Sequence, residues 1–435
     1  MKKLLYILTI FIAIFLLHTT NTVAYSPYNL PNNIYGISIV NHSDIYDASK
    51  LINSNGGDWG YVTIVITEND RNKILWQSFL DNCRQLHIIP IIRIATKYED
   101  DNWKIPKIED IDSWVNFFNS LNWVTENRYI IIGNEPNHSK EWGGKINPSQ
   151  YASYLKTFAE RLHNANKDYF VLNAGFDQDA PNSKYTMDEK KYIEIMLKEV
   201  PDIFNFIDGF ASHSYPNPAF SGPKDGQGRR SIKGYEWELS LIKKDLPVFI
   251  TETGWVRHNN MNEKDIALNM KYAFENVWSR DTKVVAVTPF VLNYQNDPFY
   301  EFSWKTKDGS YFTVYNHVQD IQKIRGVPKQ KISGEVIFNF LNPLMIRNTE
   351  QKGYSLVKNT GQAIWTQSDS NFINESKNEI KVSNTKFNSI PPFTTGLVTY
   401  TLKSPNIPNV FDVKLGFYVG GEKIGNTVNG KIISF

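Results

Sequence analysis

Eight short apolar runs recur along the first three quarters of the chain: Ile34–Val40, Tyr61–Ile66, Ile88–Ile94, Tyr129–Ile132, Phe170–Asn173, Phe206–Ala211, Val248–Thr251 and Val284–Val291. Each is too short for a helix and rich in β-branched and aromatic residues, so each reads as a strand buried on both faces. The stretches between them carry apolar residues at helical spacing. In the clearest, Pro148 to Asn164, the residues Tyr151, Tyr154, Leu155, Phe158, Ala159 and Leu162 fall on one face. Asn147 suits the N-cap of that helix and Pro148 its first position. Eight strand–helix units predict an α/β fold, a (β/α)8 TIM barrel. The competing doubly wound sheet usually has a glycine-rich phosphate loop after its first strand, and none follows Val40.

Past residue 340 the helical period disappears. Strand-like runs such as Tyr354–Lys358, Leu397–Lys403 and Val413–Val419 are separated by Asn, Gly, Pro and Ser. This pattern predicts a small C-terminal β-sandwich of roughly 90 residues. The expected division is a barrel over 30–340 and a sandwich over 345–435.

The first 24 residues stand apart. Lys2 and Lys3 precede an apolar stretch from Leu4 to Leu17, and Thr22-Val23-Ala24 closes the segment with a small residue. This is the build of a secretory signal with cleavage after Ala24, too short for the roughly 20 residues of a bilayer span. An uncleaved anchor is the alternative. The expectation is therefore a secreted or envelope-associated protein.

Charge narrows the partners. The chain holds 47 Lys and Arg against 45 Asp and Glu, and without Lys2 and Lys3 the balance is zero. With no basic block there is no case for nucleic acid. Cys83 is the single cysteine and lies at helical spacing with Phe79 and Leu86, as a small buried apolar residue would. Aromatic residues make up 14% of the chain, including 11 Trp and 23 Tyr, which suits both a large core and surfaces that stack on flat ligands.

Candidate chemistry sits at the ends of two runs. Ile130-Ile131-Ile132 leads into Gly133-Asn134-Glu135-Pro136-Asn137, and Val248-Phe249-Ile250 leads into Thr251-Glu252-Thr253-Gly254-Trp255. These are the fourth and seventh runs. A β/α barrel keeps its reactive groups at the carboxyl ends of its strands, so Glu135 and Glu252 are placed to face one cleft. Glycosidic cleavage uses two such carboxyl groups: one protonates the leaving oxygen, and the other supplies electron density to the anomeric carbon. Asn-Glu also caps helices commonly, so either motif alone would mean little.

With both motifs in place, the barrel region resembles the clan A retaining glycoside hydrolases, which carry Asn-Glu-Pro after the fourth strand and a glutamate after the seventh. The resemblance implies Glu135 as general acid/base and Glu252 as nucleophile, with Asn134 on the sugar 2-hydroxyl. It also implies that, in His213-Ser214-Tyr215-Pro216, His213 lines the pocket and Tyr215 holds the Glu252 carboxylate. Arg93, ending the third run, is positioned to keep Glu252 ionised. Trp142, Trp255 and Tyr294 are candidate sugar-binding aromatics. The clan's stacking Trp after the eighth strand is replaced by Phe290, Asn293 and Tyr294, with Trp304 further on as a substitute.

The C-terminal part resembles Ig-like domains marked by Asn-Thr-Gly-x-x-Trp, here Asn359-Thr360-Gly361-Gln362-Ala363-Ile364-Trp365. Such a module either contacts glycan or cell envelope or braces the barrel. The reaction implied needs no cofactor. No His-x-x-x-His or similar ligand spacing exists, so no metal is expected. The expected function is hydrolysis of O-glycosidic bonds in a polysaccharide or oligosaccharide. The alternative is a non-catalytic carbohydrate-binding or envelope scaffold on the same barrel, which would have no use for two facing glutamates.

Overall fold

The structure is a computed structural model that describes residues 24–258 and 261–435. All but the last residue of the expected signal lies outside these. No helix among the described residues is long and apolar enough to cross a membrane.

The barrel strands are β1 (Gly36–Ser38), β2 (Gly60–Thr67), β3 (Ile88–Ala95), β4 (Arg128–Ile132), β5 (Tyr169–Asn173), β6 (Phe210–His213), β7 (Val248–Glu252) and β8 (Val284–Val287). A helix follows each: α1 (Ile45–Ile52), α2 (Lys73–Gln85), α3 (Ile111–Asn119), α4 (Pro148–Ala165), α5 (Glu189–Glu199), α6 (Gly234–Ile242), α7 (Glu263–Asn276) and α8 (Thr313–Gln319). The strands run parallel in two sheets, β1 to β5 and β6 to β8. Single parallel bridges, Leu172 with Gly209 and Tyr35 with Val287, join the sheets into a ring. At the first seam the Asn173 side chain donates to Ala211 O (3.1 Å) and accepts from Ala211 N (2.9 Å), standing in for the missing ladder bonds. The chain is thus a (β/α)8 barrel followed by a β domain.

Aromatic residues fill the floor of the ring. Tyr61, Tyr129, Phe170 and Phe249 are each the second residue of their strand, and their ring centroids lie 5.0–6.1 Å apart. Much of the aromatic content therefore serves the core. The helix expected after Asn147 runs as read: Asn147 accepts from Gln150 N at 3.1 Å, and all six residues of its apolar face are buried. Cys83 is buried on α2. The sixth strand begins later than the apolar run beginning at Phe206, because that run's first residues close a short turn after α5.

The C-terminal strands are β9 (Gly334–Phe340), β10 (Leu344–Met345), β11 (Glu350–Asn359), β12 (Ser370–Asn374), β13 (Lys381–Lys386), β14 (Thr395–Lys403), β15 (Asn409–Val419) and β16 (Glu422–Ser434). They form two four-stranded sheets, in the orders β9-β11-β14-β13 and β10-β16-β15-β12, around a core that includes Trp365, Tyr400 and Phe417. β9 begins before the division expected near residues 340–345. Its exposed Ile337, Phe338 and Phe340 obscure the alternation that marks a strand. The Asn-Thr-Gly-x-x-Trp string does two jobs. Asn359 donates to Ala363 O and Ile390 O while Trp365 fills the core. Gln362 then reaches the barrel, donating to Thr125 O at 2.8 Å, and Glu126 N donates to Lys329 O at 2.8 Å alongside.

Candidate active site

The end of β4 is shaped by its backbone. Gly133 has φ +95° and Glu135 has φ +30°, so the chain turns through the left-handed region twice in three residues. A glycine takes that conformation freely. A glutamate takes it at a cost, and such strain persists where surrounding contacts fix it. Here Glu135 N donates to Gly175 O at 3.0 Å, and Glu135 O accepts from His138 N at 2.8 Å. The turn is held from both sides, and the carboxylate projects over the barrel mouth. Gly175 has a second role. A Cβ built on it would lie 2.1 Å from His213 Cδ2, so only a glycine leaves room for the buried imidazole.

His213 ends β6 and joins the two carboxylates. Its Nδ1 lies 2.9 Å from Glu135 Oε1 and 3.8 Å from Glu252 Oε2. Arg93, on β3, donates from Nη1 to Glu252 Oε1 at 2.7 Å and also to Asn134 Oδ1. Tyr215 donates its hydroxyl to Glu252 Oε2 at 3.2 Å. The nearest donor atoms of Glu135, His213 and Glu252 all lie within 4.8 Å of one another. Six of the residues singled out in the sequence (Glu135, Glu252, Asn134, His213, Tyr215 and Arg93) thus meet at one point.

The electrostatics are asymmetric. Burial alone would raise Glu252, but the charges of His213 and Arg93 and the hydrogen bonds from Tyr215 and Arg93 outweigh it and hold the carboxyl below its usual range. Burial would lower His213, yet Glu252 and Glu135 together raise it above its ordinary value. Burial, with Glu252 and Glu135 beside it, pushes Tyr215 well up, so it remains a phenol and a donor. Glu135, His213 and Glu252 also have the spacing of a cation site. Arg93, 2.7 Å from Glu252, already places a positive charge there.

Three aromatic expectations need correction. Trp142 is buried, and its Nε1 donates to Gln150 Oε1 at 2.8 Å while its ring packs against Tyr151 and Tyr154. Trp255 is buried with its Nε1 on Gly222 O at 2.8 Å, bracing the loop between β6 and α6. Trp304 is in the core. In all three the indole packs against the protein, and for Trp142 and Trp255 the N–H is spent inside it, so none offers a free face to a sugar. Tyr294 instead joins a partly exposed wall beside the nucleophile, made with Phe290, Phe299, Phe302 and Phe220. Tyr215 links that wall to Glu252, with Phe220 4.9 Å from its ring.

Sequence reading also missed a third carboxyl, Glu141, at the end of a single turn over Ser139–Glu141. It shares a small cavity with Asn134, Thr96, Trp103, Lys104 and Trp142. Only its distance of six residues from Glu135 could have drawn notice to it.

No protein-family model and no curated sequence matches the chain. Among solved structures, a β-xylosidase from Caulobacter crescentus superposes with a TM-score of 0.49 at 11% identity, covering 86% of this chain and 97% of its own. An endo-β-1,4-glucanase from Xanthomonas axonopodis pv. citri gives 0.47 at 15% identity, covering 66% and 98%. A β-mannanase from Thermomonospora fusca gives 0.43 at 15%, covering 67% and 90%.

Proposed function

We propose that this chain is an exported retaining glycoside hydrolase. Glu135 protonates the glycosidic oxygen as it leaves. Glu252 attacks the anomeric carbon and forms a glycosyl-enzyme. Glu135, now ionised, takes a proton from water, and that water releases the sugar with its original configuration. The observation that carries this reading is the spacing of the two carboxylates, with oxygens within 4.8 Å of each other. Retaining enzymes hold the two carboxyl groups about 5–5.5 Å apart and inverting ones roughly 6.5–9.5 Å, so nearest oxygens this close favour retention. The division of roles follows from their partners. Glu252 is clamped by Arg93 and Tyr215 and stays ionised, as a nucleophile must. Asn134, bonded to the Arg93 that clamps Glu252, would meet the sugar 2-hydroxyl. The loop over Ser212–Gly234, which brings Tyr215 and Phe220 to the rim, suits a groove with several subsites and endo action on a glycan chain.

Azide rescue tests the assignment. Glu135→Ala should still be glycosylated by an aryl glycoside with an acidic phenol, and azide should restore turnover with a glycosyl azide of retained configuration. Glu252→Ala with azide should give inverted product. The exchanged pattern would reverse the roles, and full activity in either mutant would end the hydrolase reading in favour of a binding scaffold.

A further inference from the structure

The turn that carries Glu135 is strained, with φ +30° at a residue other than glycine, so contacts from outside the turn must hold it. Glu135 N on Gly175 O, at 3.0 Å, is one such contact. Three more come from the residues that follow Glu135 in the chain, and all converge on Asp177, just beyond Gly175. Asn137 is fully buried; its Nδ2 donates to Asp177 O at 2.9 Å, and its Oδ1 accepts from Asp177 N at 3.2 Å. The half-buried His138 reaches the Asp177 side chain, Nε2 to Oδ2, at 2.8 Å. Asp177 Oδ1 accepts from Asp179 N at 2.8 Å, which fixes the rotation of the carboxylate. The backbone of Asp177 also forms a parallel bridge with His213, whose Nδ1 lies 2.9 Å from Glu135 Oε1. Asp177 thus stands between the turn that presents Glu135 and the strand end that presents its imidazole partner.

We propose that Asp177, through its pair with His138, is a positioning residue for the acid/base Glu135; the proposal rests on the hydrolase reading above. The path from one to the other is short. His138 N donates to Glu135 O at 2.8 Å and closes the strained turn, so the residue whose ring is anchored on Asp177 is the one whose backbone holds Glu135. Burial alone would raise Asp177, but the hydrogen bond and charge of His138 outweigh it and hold the carboxyl below its usual range, which strengthens the pair. Without that carboxylate the ring loses its anchor and the closing contact loosens. Glu135 can then relax out of the left-handed region, and its carboxyl leaves the place where the glycosidic oxygen departs. Glu252 is held by other residues, Arg93 and Tyr215, and keeps its seat. Loss of Asp177 should therefore damage proton donation and spare nucleophilic attack.

The test uses the full chain as wild type, Asp177→Ala, Asp177→Asn and His138→Ala, each with two aryl glycosides of one sugar. One glycoside releases a strongly acidic phenol, which needs little protonation, and the other a weakly acidic phenol, which needs much. In Asp177→Ala, kcat/KM should fall about 10- to 100-fold on the weakly acidic leaving group and stay within about threefold on the acidic one. His138→Ala should show the same split, and decides the matter if Asp177→Ala does not fold. Asp177→Asn keeps hydrogen-bonding groups toward His138 and Asp179 N, and should stay within about threefold of wild type on both substrates. A second readout needs no turnover. The 15N ring signals of His213, which report the Glu135 carboxyl beside them, should move in both alanine variants and stay near their wild-type positions in Asp177→Asn. An equal fall on both glycosides, wild-type rates in both alanine variants, or unmoved His213 signals would overturn the proposal. A wild type that cleaves neither glycoside, with the His213 signals moving as expected, would instead refute the hydrolase reading and leave the positioning of Glu135 standing.

Discussion

Gly175→Ala isolates the geometry of the site with one methyl group. Gly175 does not have a positive φ, so alanine meets no backbone penalty and the effect is steric. The new Cβ would stand 2.1 Å from His213 Cδ2, 2.4 Å from Nε2 and 2.8 Å from Cγ, where ordinary contact begins at 3.4 Å. The ring must therefore retreat by about 1.3 Å from its present place. His213 is buried and its Nδ1 sits 2.9 Å from Glu135 Oε1, so a shift of that size breaks the hydrogen bond or forces the backbone of β5 outward. Overpacking of this kind costs about 1–3 kcal/mol. Losing a hydrogen bond to a charged partner costs about 1.5–3 kcal/mol more. The loss should be at least 2 kcal/mol by urea denaturation at pH 6, against a total on the order of 5–15 kcal/mol. Because the same movement unseats Glu135, kcat on an aryl glycoside should fall at least about tenfold in protein that remains folded. A variant within 0.5 kcal/mol (roughly the spread of neutral substitutions) that also keeps wild-type kcat would show that His213 has no fixed seat and would refute the reasoning.

Stability should depend on pH through the same groups, with opposite signs. Glu252 is held below its usual range, so its contribution is present above about pH 4.3 and fades as pH falls; His213 is raised, so its contribution is present below about pH 6.5 and fades as pH rises, and His213→Gln should flatten that alkaline side in urea titrations. Glu189 and Glu238 are fully buried together; Glu189 is pushed well up by burial and then by Glu238, and among the described residues no hydrogen-bond partner reaches its oxygens, Arg229 Nε standing 3.9 Å from Oε2. Its burial is tolerated at low pH and costs stability as pH rises, so Glu189→Gln should be more stable than wild type by about 1–3 kcal/mol at pH 8 and indistinguishable near pH 4, read by thermal melts at both. Gln362→Ala should cost about 1 kcal/mol by removing the bond to Thr125 O, and calorimetry should then resolve separate transitions for barrel and sandwich; a single unshifted transition would count against that contact as a brace.

Much of the fold was legible because buried parallel strands leave an unmistakable mark. Ile88–Ile94 and Ile130–Ile132 have little polar interruption, and Asn147-Pro148 announces its helix. The site was legible for a related reason: the charged residue that ends such a run, Arg93, Glu135, His213 or Glu252, is carried by the barrel to a common mouth. What the sequence hid is whatever depends on the path of a loop. Nothing local distinguishes an indole that stacks on ligand from Trp142, whose N–H is spent on Gln150. Glu141 looks like any polar residue of a short turn until the fold sets it in one cavity with Asn134. The β9 strand escaped because its Ile337, Phe338 and Phe340 face solvent and break the alternation that marks a half-buried strand.

The contact between Gln362 and Thr125 also fixes which way the protein points. Thr125 and Glu126 lie just before β4, at the end opposite the one where Glu135 emerges. A strand of five residues is about 17 Å long, and that length stands between the sandwich and the reacting groups. The C-terminal module is therefore a pedestal under the barrel. The mouth opens on the side turned away from it. Exchanging the pedestal would leave the mouth and its reacting groups as they are.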